Sequence, residues 1–100
     1  MNIEQTKKND TLTFHLEGRL DLLSAPKLQD ILIPTIDGTQ SIVLDLKQLT
    51  YISSAGLRVI LIAQKTASSL NVALNVNNVS DEVMEIFEMT GFSDFLVFGG

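Results

Sequence analysis

The chain has 100 residues, of which 45% are hydrophobic and 19% are charged, and its formal net charge is −5. A chain of this size and composition can build the core of one domain, which excludes a disordered protein. The negative charge disfavours nucleic acid as a partner. The absence of cysteine excludes disulfides and zinc–sulfur sites.

The first part of the chain predicts two strands and a helix. Residues 12–16 alternate between apolar and polar side chains, which indicates a strand with one buried face, and residues 3–8 are expected to pair with it as a hairpin. Ser24 is suited to cap the helix that follows, with Pro26 in its first turn. Pro34 is expected to kink or end this helix because its ring clashes with the preceding turn.

The second part of the chain predicts three strands and two helices. Residues 41–46 are largely apolar on both faces, which is typical of a buried strand, and residues 54–69 indicate a helix. Residues 72–76 alternate again and predict the next strand. Ser80 is expected to cap a third helix, and residues 95–98 are expected to form the last strand.

The resulting order is β-β-α-β-α-β-α-β, and we expect residues 1–100 to form one domain. Strands joined by helices pair in parallel through right-handed crossovers, whereas the first two strands can pair antiparallel. The order therefore predicts an α/β fold with a single mixed sheet.

Signatures of catalysis are missing from the sequence. It contains neither a glycine-rich phosphate loop nor a G-x-S-x-G segment. The single histidine, His15, falls on the polar side of a strand, where a solvated side chain is expected. We therefore expect no enzyme, no cofactor and no metal site. The polar start of the chain and the lack of a long apolar run favour a cytoplasmic protein that does not insert into membranes.

The segment from Tyr51 to Arg58 is the strongest candidate for a functional site. It passes from the end of a buried strand into a helix, and either Ser53 or Ser54 can cap that helix. Helical spacing places Ser54, Arg58 and Ile62 on one outward stripe. A phosphoryl group on Ser54 would meet free backbone N–H groups and a guanidinium, and Ile62 is a candidate contact for a protein partner.

At this point the sequence resembles the STAS domain, the fold of bacterial anti-sigma factor antagonists. The most specific match is Y-I-S-S-A-G-L at residues 51–57, which is similar to the family's D-S-S-G-L or S-S-A-G-L segment. Supporting matches occur in the expected order along nearly the whole chain, at residues 17–21, 24–26, 43–46 and 89–92.

The resemblance implies a partner-switching protein of transcription regulation. Such antagonists bind an anti-sigma factor that is also an ATP-dependent serine kinase, and binding releases the sigma factor. The kinase inactivates the antagonist by phosphorylating one serine, which matches Ser54, with Ser53 as the second choice, and a phosphatase restores it. The resemblance also implies that Asp21 lies beside this serine and contacts the partner. Together with the outward stripe of the predicted helix, this makes Asp21, Ser53, Ser54, Arg58 and Ile62 the expected partner-binding residues. A loop aspartate that binds its own backbone is the alternative for Asp21.

The sequence departs from the family at two positions of this site and leaves other functions open. Many phosphorylated members have aspartate where Ser53 stands and glycine where Arg58 stands. One alternative is a STAS subunit of a transport or signalling complex that is never phosphorylated. A small serine hydrolase is a weaker alternative, because no base is visible for the serine. The oligomeric state is open under each of these interpretations.

Overall fold

The computed structural model describes residues 1–99 and shows one five-stranded sheet in the order β1-β2-β3-β4-β5. β1 runs antiparallel to β2, and the remaining neighbours are parallel. This is the mixed sheet that the order of elements predicts, so the α/β fold class is confirmed. The strands are β1 (Asn2–Lys8), β2 (Thr11–Leu20), β3 (Ser41–Ile52), β4 (Ala73–Asn77) and β5 (Val97–Gly99).

Three helices connect the parallel strands. The prediction that Ser80 caps the third helix is confirmed, since its hydroxyl accepts a hydrogen bond of 3.2 Å from the N–H of Val83. The helices are α1 (Ala25–Ile36), α2 (Ser54–Ser69) and α3 (Asp81–Thr90), and a short 3-10 turn (Phe92–Asp94) precedes β5.

The core lies between the helices and one face of the sheet. Phe14 of β2, Leu44 of β3 and Val76 of β4 point into it and are fully buried. Residues between them along the strands, such as Thr13 and Asp45, are only partly buried. Because consecutive strands are neighbours and right-handed crossovers lead in one direction, all three helices cover the same face of the sheet.

The expectation that Pro34 kinks or ends α1 is wrong about where the helix ends, because α1 continues to Ile36. Pro34 lies in the last turn, where its missing N–H removes a single hydrogen bond from the helix. Leu32 and Ile36, on either side of it, are both fully buried. Their packing in the core holds the last turn, while the proline ring stays exposed.

The bounds of β3 and β5 also differ from the predicted ones. β3 continues to Ile52 instead of ending at Leu46, because its last residues pair with the end of β2, where Leu20 lies opposite Ile52. The last strand comprises Val97–Gly99 instead of residues 95–98, because the 3-10 turn carries the chain further before it joins the sheet. The longer β3 brings the end of β2 to the start of α2.

Candidate functional site

Ser53 and Ser54 lie where β3 passes into α2, but their hydroxyl groups have different surroundings. Ser53 is the N-cap of α2: its hydroxyl accepts a hydrogen bond of 3.4 Å from the N–H of Gly56. Its own N–H donates to the carbonyl oxygen of Leu20 at 2.9 Å, which ties it to the end of β2. Ser54 is the first residue of α2 and is exposed. The capping role therefore belongs to Ser53, which leaves Ser54 facing solvent.

Gly56 allows the first turn of α2 to approach β2 closely. A Cβ atom at this position would lie 2.6 Å from Cγ of Leu20, 2.9 Å from the carbonyl oxygen of Leu20 and 2.9 Å from Cγ1 of Ile52. These separations are far shorter than ordinary contacts between carbon atoms, so only glycine fits without movement of its neighbours. The contact fixes the start of α2 against the end of β2, from which the next loop departs.

That loop is held by Asp21 and Ser24. The carboxylate oxygen Oδ1 of Asp21 accepts hydrogen bonds from the N–H groups of Leu23, at 3.0 Å, and Ser24, at 3.2 Å. The Ser24 hydroxyl donates to the carbonyl oxygen of Arg19 at 2.7 Å and accepts from the N–H of Asp21 at 2.9 Å. The prediction that the Ser24 side chain caps α1 is therefore wrong, because its hydroxyl is used inside the loop instead.

The charge of Asp21 is stabilised by this local network. The hydrogen bond from the N–H of Ser24 is the largest effect and lowers the pKa of Asp21. Desolvation raises it, but the N–H of Leu23, the Ser24 hydroxyl and the nearby Arg19 together keep the pKa below its ordinary value. Nε of Arg19 lies 3.8 Å from Oδ2 of Asp21, and the same guanidinium stacks 4.2 Å from the ring centre of Tyr51. Asp21 thus binds its own backbone, which was the alternative left open for this residue.

The tight turn forces two leucines into solvent. Leu22 is 76% exposed and Leu23 is 89% exposed, which is exceptional for large aliphatic side chains in this protein. Sequence reasoning missed both residues. The available signal was two consecutive leucines in a loop that contributes nothing to the core. A pair of this kind beside a concave surface is typical of a protein-binding site.

A groove of about 500 Å³ runs between α1 and α2, with Ser54 at its edge. Leu22 from the loop, Ala25 and Pro26 from α1, and Val59 and Ile62 from α2 make much of its wall apolar. Arg58 carries the charge among the lining residues. The full lining consists of Leu22, Ala25, Pro26, Gln29, Ser54, Ala55, Arg58, Val59 and Ile62.

The structure brings three of the five predicted partner-binding residues together in this groove. Ser54 and Arg58 are exposed and Ile62 is partly buried, on the outward stripe of α2 that the helical spacing predicts. Ser53 lies next to the groove but is turned into the cap. Asp21 does not line this groove; it borders a separate cavity of about 530 Å³ on the other side of the loop.

A second polar cluster lies on the open face of the sheet, around His15. Its Nδ1 atom lies 2.8 Å from Oδ2 of Asp45, and its Nε2 atom lies 3.1 Å from the hydroxyl oxygen of Thr6. His15 is thus partnered and only 40% exposed at its side chain, which corrects the expectation of a simply solvated residue. It meets neither Ser53 nor Ser54 in this cluster, so the two serines have no histidine base here.

Asp45 is the centre of that cluster. Partial burial raises its pKa, but hydrogen bonds from the Asn78 amide, His15 and the N–H of Lys47 outweigh this effect, and the net pKa lies below its ordinary value. The Asn78 contact is 3.0 Å and the Lys47 contact is 3.1 Å. These bonds join β3 to β2 and to the residue that follows β4, which is a structural role.

Within residues 1–99, no group of three or more His, Cys, Asp or Glu side chains is arranged to hold a metal ion. No helix in this part of the chain is long and apolar enough to cross a membrane.

Comparison with solved structures places the fold among known domains. The anti-sigma factor antagonist SpoIIAA in its unphosphorylated form superposes with a TM-score of 0.85 at 16% identity, covering 99% of this chain and 89% of that one. SpoIIAA of Bacillus in the phosphorylated form gives a TM-score of 0.78 at 15% identity, over 99% and 92% of the two chains. A sulfate transporter family protein from Wolinella succinogenes gives 0.80 at 18% identity, over 93% and 80%. At such identities the likeness shows a shared fold.

The sequence comparisons are more specific. The family model described as the STAS domain matches residues 2–99. A protein named anti-sigma-B factor antagonist from Staphylococcus aureus strain NCTC 8325 is 31% identical over 97 residues, which cover 96% of this chain and 90% of that protein. The chain therefore belongs to the STAS domain family.

Proposed function

We propose that this protein is an anti-sigma factor antagonist that is switched off by phosphorylation of Ser54. In its unmodified form it binds an anti-sigma factor that is also a serine kinase, and so releases a sigma factor. The name of the Staphylococcus aureus relative supports the antagonist role. The observation that carries the proposal is the exposed Ser54 at the edge of an apolar groove flanked by the protruding Leu22.

The loop and the groove together supply what a partner needs to bind. The hydrogen bonds from the N–H groups of Leu23 and Ser24 to Asp21 define the backbone of this loop, so less backbone entropy is lost when a partner covers the leucines. Burying apolar surface is worth about 25 cal/mol per Å², so two leucines inserted into a partner contribute substantially. Arg58 adds a charge that selects an acidic counterpart at the rim.

Phosphorylation of Ser54 would break this contact by electrostatics and desolvation. A phosphoserine carries a charge of roughly −1.5 to −2 and three strongly hydrated acceptor oxygens. Placed at the edge of the groove, it must either be buried without solvation or hold the partner surface away. Ser53 is the poorer acceptor, because it is half-buried and its hydroxyl is turned toward the N–H of Gly56, whereas Ser54 is exposed.

The kinase and a phosphatase complete the proposed cycle. The partner kinase binds the ATP that donates the phosphate, so the domain itself needs no bound nucleotide. A phosphatase returns the domain to its binding form, and the ratio of the two activities sets how much sigma factor is free.

The experiment is a binding titration by calorimetry with the purified anti-sigma factor/serine kinase of the same organism, in the absence of ATP. Ser54→Ala removes the phosphoacceptor without adding charge and is expected to keep the affinity within about twofold. Ser54→Asp adds a negative charge at the groove edge and is expected to weaken binding by about tenfold or more, equivalent to ~1.4 kcal/mol.

Ser69→Asp is the matched control for the charge. It adds the same single negative charge at an exposed position of α2, away from the groove. We expect Ser69→Asp to bind as the unaltered chain does. Equal affinities for Ser54→Asp, Ser54→Ala and the unaltered chain would contradict the proposed switch.

The alternative is a STAS subunit that assembles with a transport or signalling complex and is never phosphorylated. The superposition with the Wolinella sulfate transporter family protein favours it at the level of fold alone. Ser53 and Arg58, which replace the aspartate and glycine of many phosphorylated members, also agree with it. This alternative predicts that assembly is indifferent to both Ser54→Ala and Ser54→Asp.

A further inference from the structure

Arg58 stands one helical turn from Ser54 on the exposed stripe of α2. Both residues are exposed, and both line the groove between α1 and α2. Residues four apart on a helix have Cβ atoms about 5–6 Å from each other. An arginine side chain spans this gap easily, so its guanidinium can meet any group carried on the Ser54 oxygen.

The guanidinium of Arg58 forms no ion pair with the other residues that the structure describes. Within residues 1–99, ion pairs of 4.0 Å or less join His15 to Asp45 and Arg19 to Asp21. Arg19, the other arginine of the chain, also stacks on Tyr51 at 4.2 Å. Arg58 is therefore the arginine that is available to pair with a new anion at this site.

We propose that Arg58 is a phosphate clamp, which pairs with the phosphate of phosphorylated Ser54 and distinguishes it from a carboxylate. This inference rests on the proposed phosphorylation of Ser54. A guanidinium forms two parallel hydrogen bonds to a phosphate, and such charge-assisted pairs are about twice as strong as neutral hydrogen bonds. An aspartate at position 54 carries one charge on a shorter stem, so the clamp holds it less well.

With this clamp, phosphorylation of Ser54 would change two charges of the groove at once. Phosphorylation adds an anion at the edge of the groove, and pairing also neutralises Arg58, which is the charged residue of the groove lining. A partner that recognises the free guanidinium therefore loses its counterpart when Ser54 is modified. The arginine found where many family members have glycine gains a function in this way.

The test is a phosphorus NMR titration of the full chain with phosphoserine placed at position 54 by genetic code expansion. The second pKa of a phosphoserine is ordinarily about 6, and a nearby guanidinium lowers it by favouring the dianion. We expect Arg58→Gln, which keeps a polar side chain but removes the positive charge, to raise this pKa by about half a pH unit.

Lys65→Gln is the matched control. It removes one positive charge from the same stripe, but Lys65 lies eleven residues after Ser54 along α2, about 16 Å at 1.5 Å per residue. This exceeds the Debye length of about 8–10 Å in physiological salt, so we expect almost no shift. Arg58→Lys keeps a charge and is expected to retain most of the lowered pKa. Equal titration curves for Arg58→Gln, Lys65→Gln and the unaltered chain would overturn the clamp.

The titration separates this inference from the proposed function. It contains neither kinase nor anti-sigma factor, so it reports on Arg58 whether or not the protein acts as an antagonist. Conversely, the calorimetric titration with Ser54→Asp tests the switch whether or not Arg58 pairs with the phosphate.

Discussion

A Cβ atom on Gly56 would lie 2.6 Å from Cγ of Leu20, so the first turn of α2 rests directly on the end of β2. Leu20 is fully buried, and the loop that carries Leu22 begins at the next residue. The close contact therefore sets the position of the loop relative to Ser54. A glycine inside the helix therefore fixes the shape of the groove beside Ser54 as well as packing the core.

Replacing Gly56 by alanine is expected to destabilise the protein by roughly 1–3 kcal/mol, because the added methyl group overpacks a closed contact. This exceeds the gain of about 1 kcal/mol that alanine usually brings to a helix. Urea unfolding measures the change. Lys65→Ala, at an exposed position of the same helix, is the control and should alter stability by less than about 0.5 kcal/mol. An alanine variant as stable as the unaltered chain would show that the contact can relax freely.

Leu22→Asp and Leu23→Asp are expected to leave stability nearly unchanged and to weaken anti-sigma factor binding by about tenfold or more. Both side chains are largely exposed, so their removal costs the fold little. Met89→Asp is the control, since Met89 is 78% exposed but lies on α3, outside the groove lining. Calorimetry and thermal unfolding measure the two effects. Loss of affinity in the Met89 variant alone would move the interface to α3.

Asp45→Asn is expected to reduce the free energy of unfolding at pH 7 by roughly 1 kcal/mol, because the amide loses the charge-assisted contact with His15. The folded-state pKa of Asp45 is lowered, so its contribution is present above the ordinary carboxyl pKa and is lost as pH falls through the lowered value. The difference in free energy of unfolding between the variant and the unaltered chain should therefore shrink as the pH falls below about 4. Unfolding curves between pH 7 and pH 3 measure it. A difference in unfolding free energy that stays constant across this range would show that Asp45 does not make stability sensitive to acid.

The order of strands and helices could be predicted because apolar residues repeat every second position in a half-buried strand and at helical spacing in a helix. The alternation around Phe14 and the helical spacing of residues 54–69 are local properties, and both elements appear where expected. The extension of β3 to Ile52 depends on pairing with β2, which no local pattern contains. The continuation of α1 past Pro34 has a related cause, since the buried side chains of Leu32 and Ile36 hold its last turn in the core.

Only the part of the candidate site that lies on α2 could be predicted from the sequence. The outward placement of Ser54 and Arg58 follows from their spacing on α2. The exposure of Leu22 and Leu23 does not, because it results from hydrogen bonds between Asp21 and Ser24 that fold the loop outward. The same bonds explain why Ser24 does not cap α1, although its residue type and position favour that role.

The most direct test of the proposed switch is intact-mass spectrometry, with site mapping, of the protein purified from its own cells under several growth and stress conditions. We expect a phosphorylated form whose phosphate maps to Ser54, in a proportion that changes with condition. A chain that carries no phosphate under any condition, or carries it on Ser53 alone, would rule out the proposed switch.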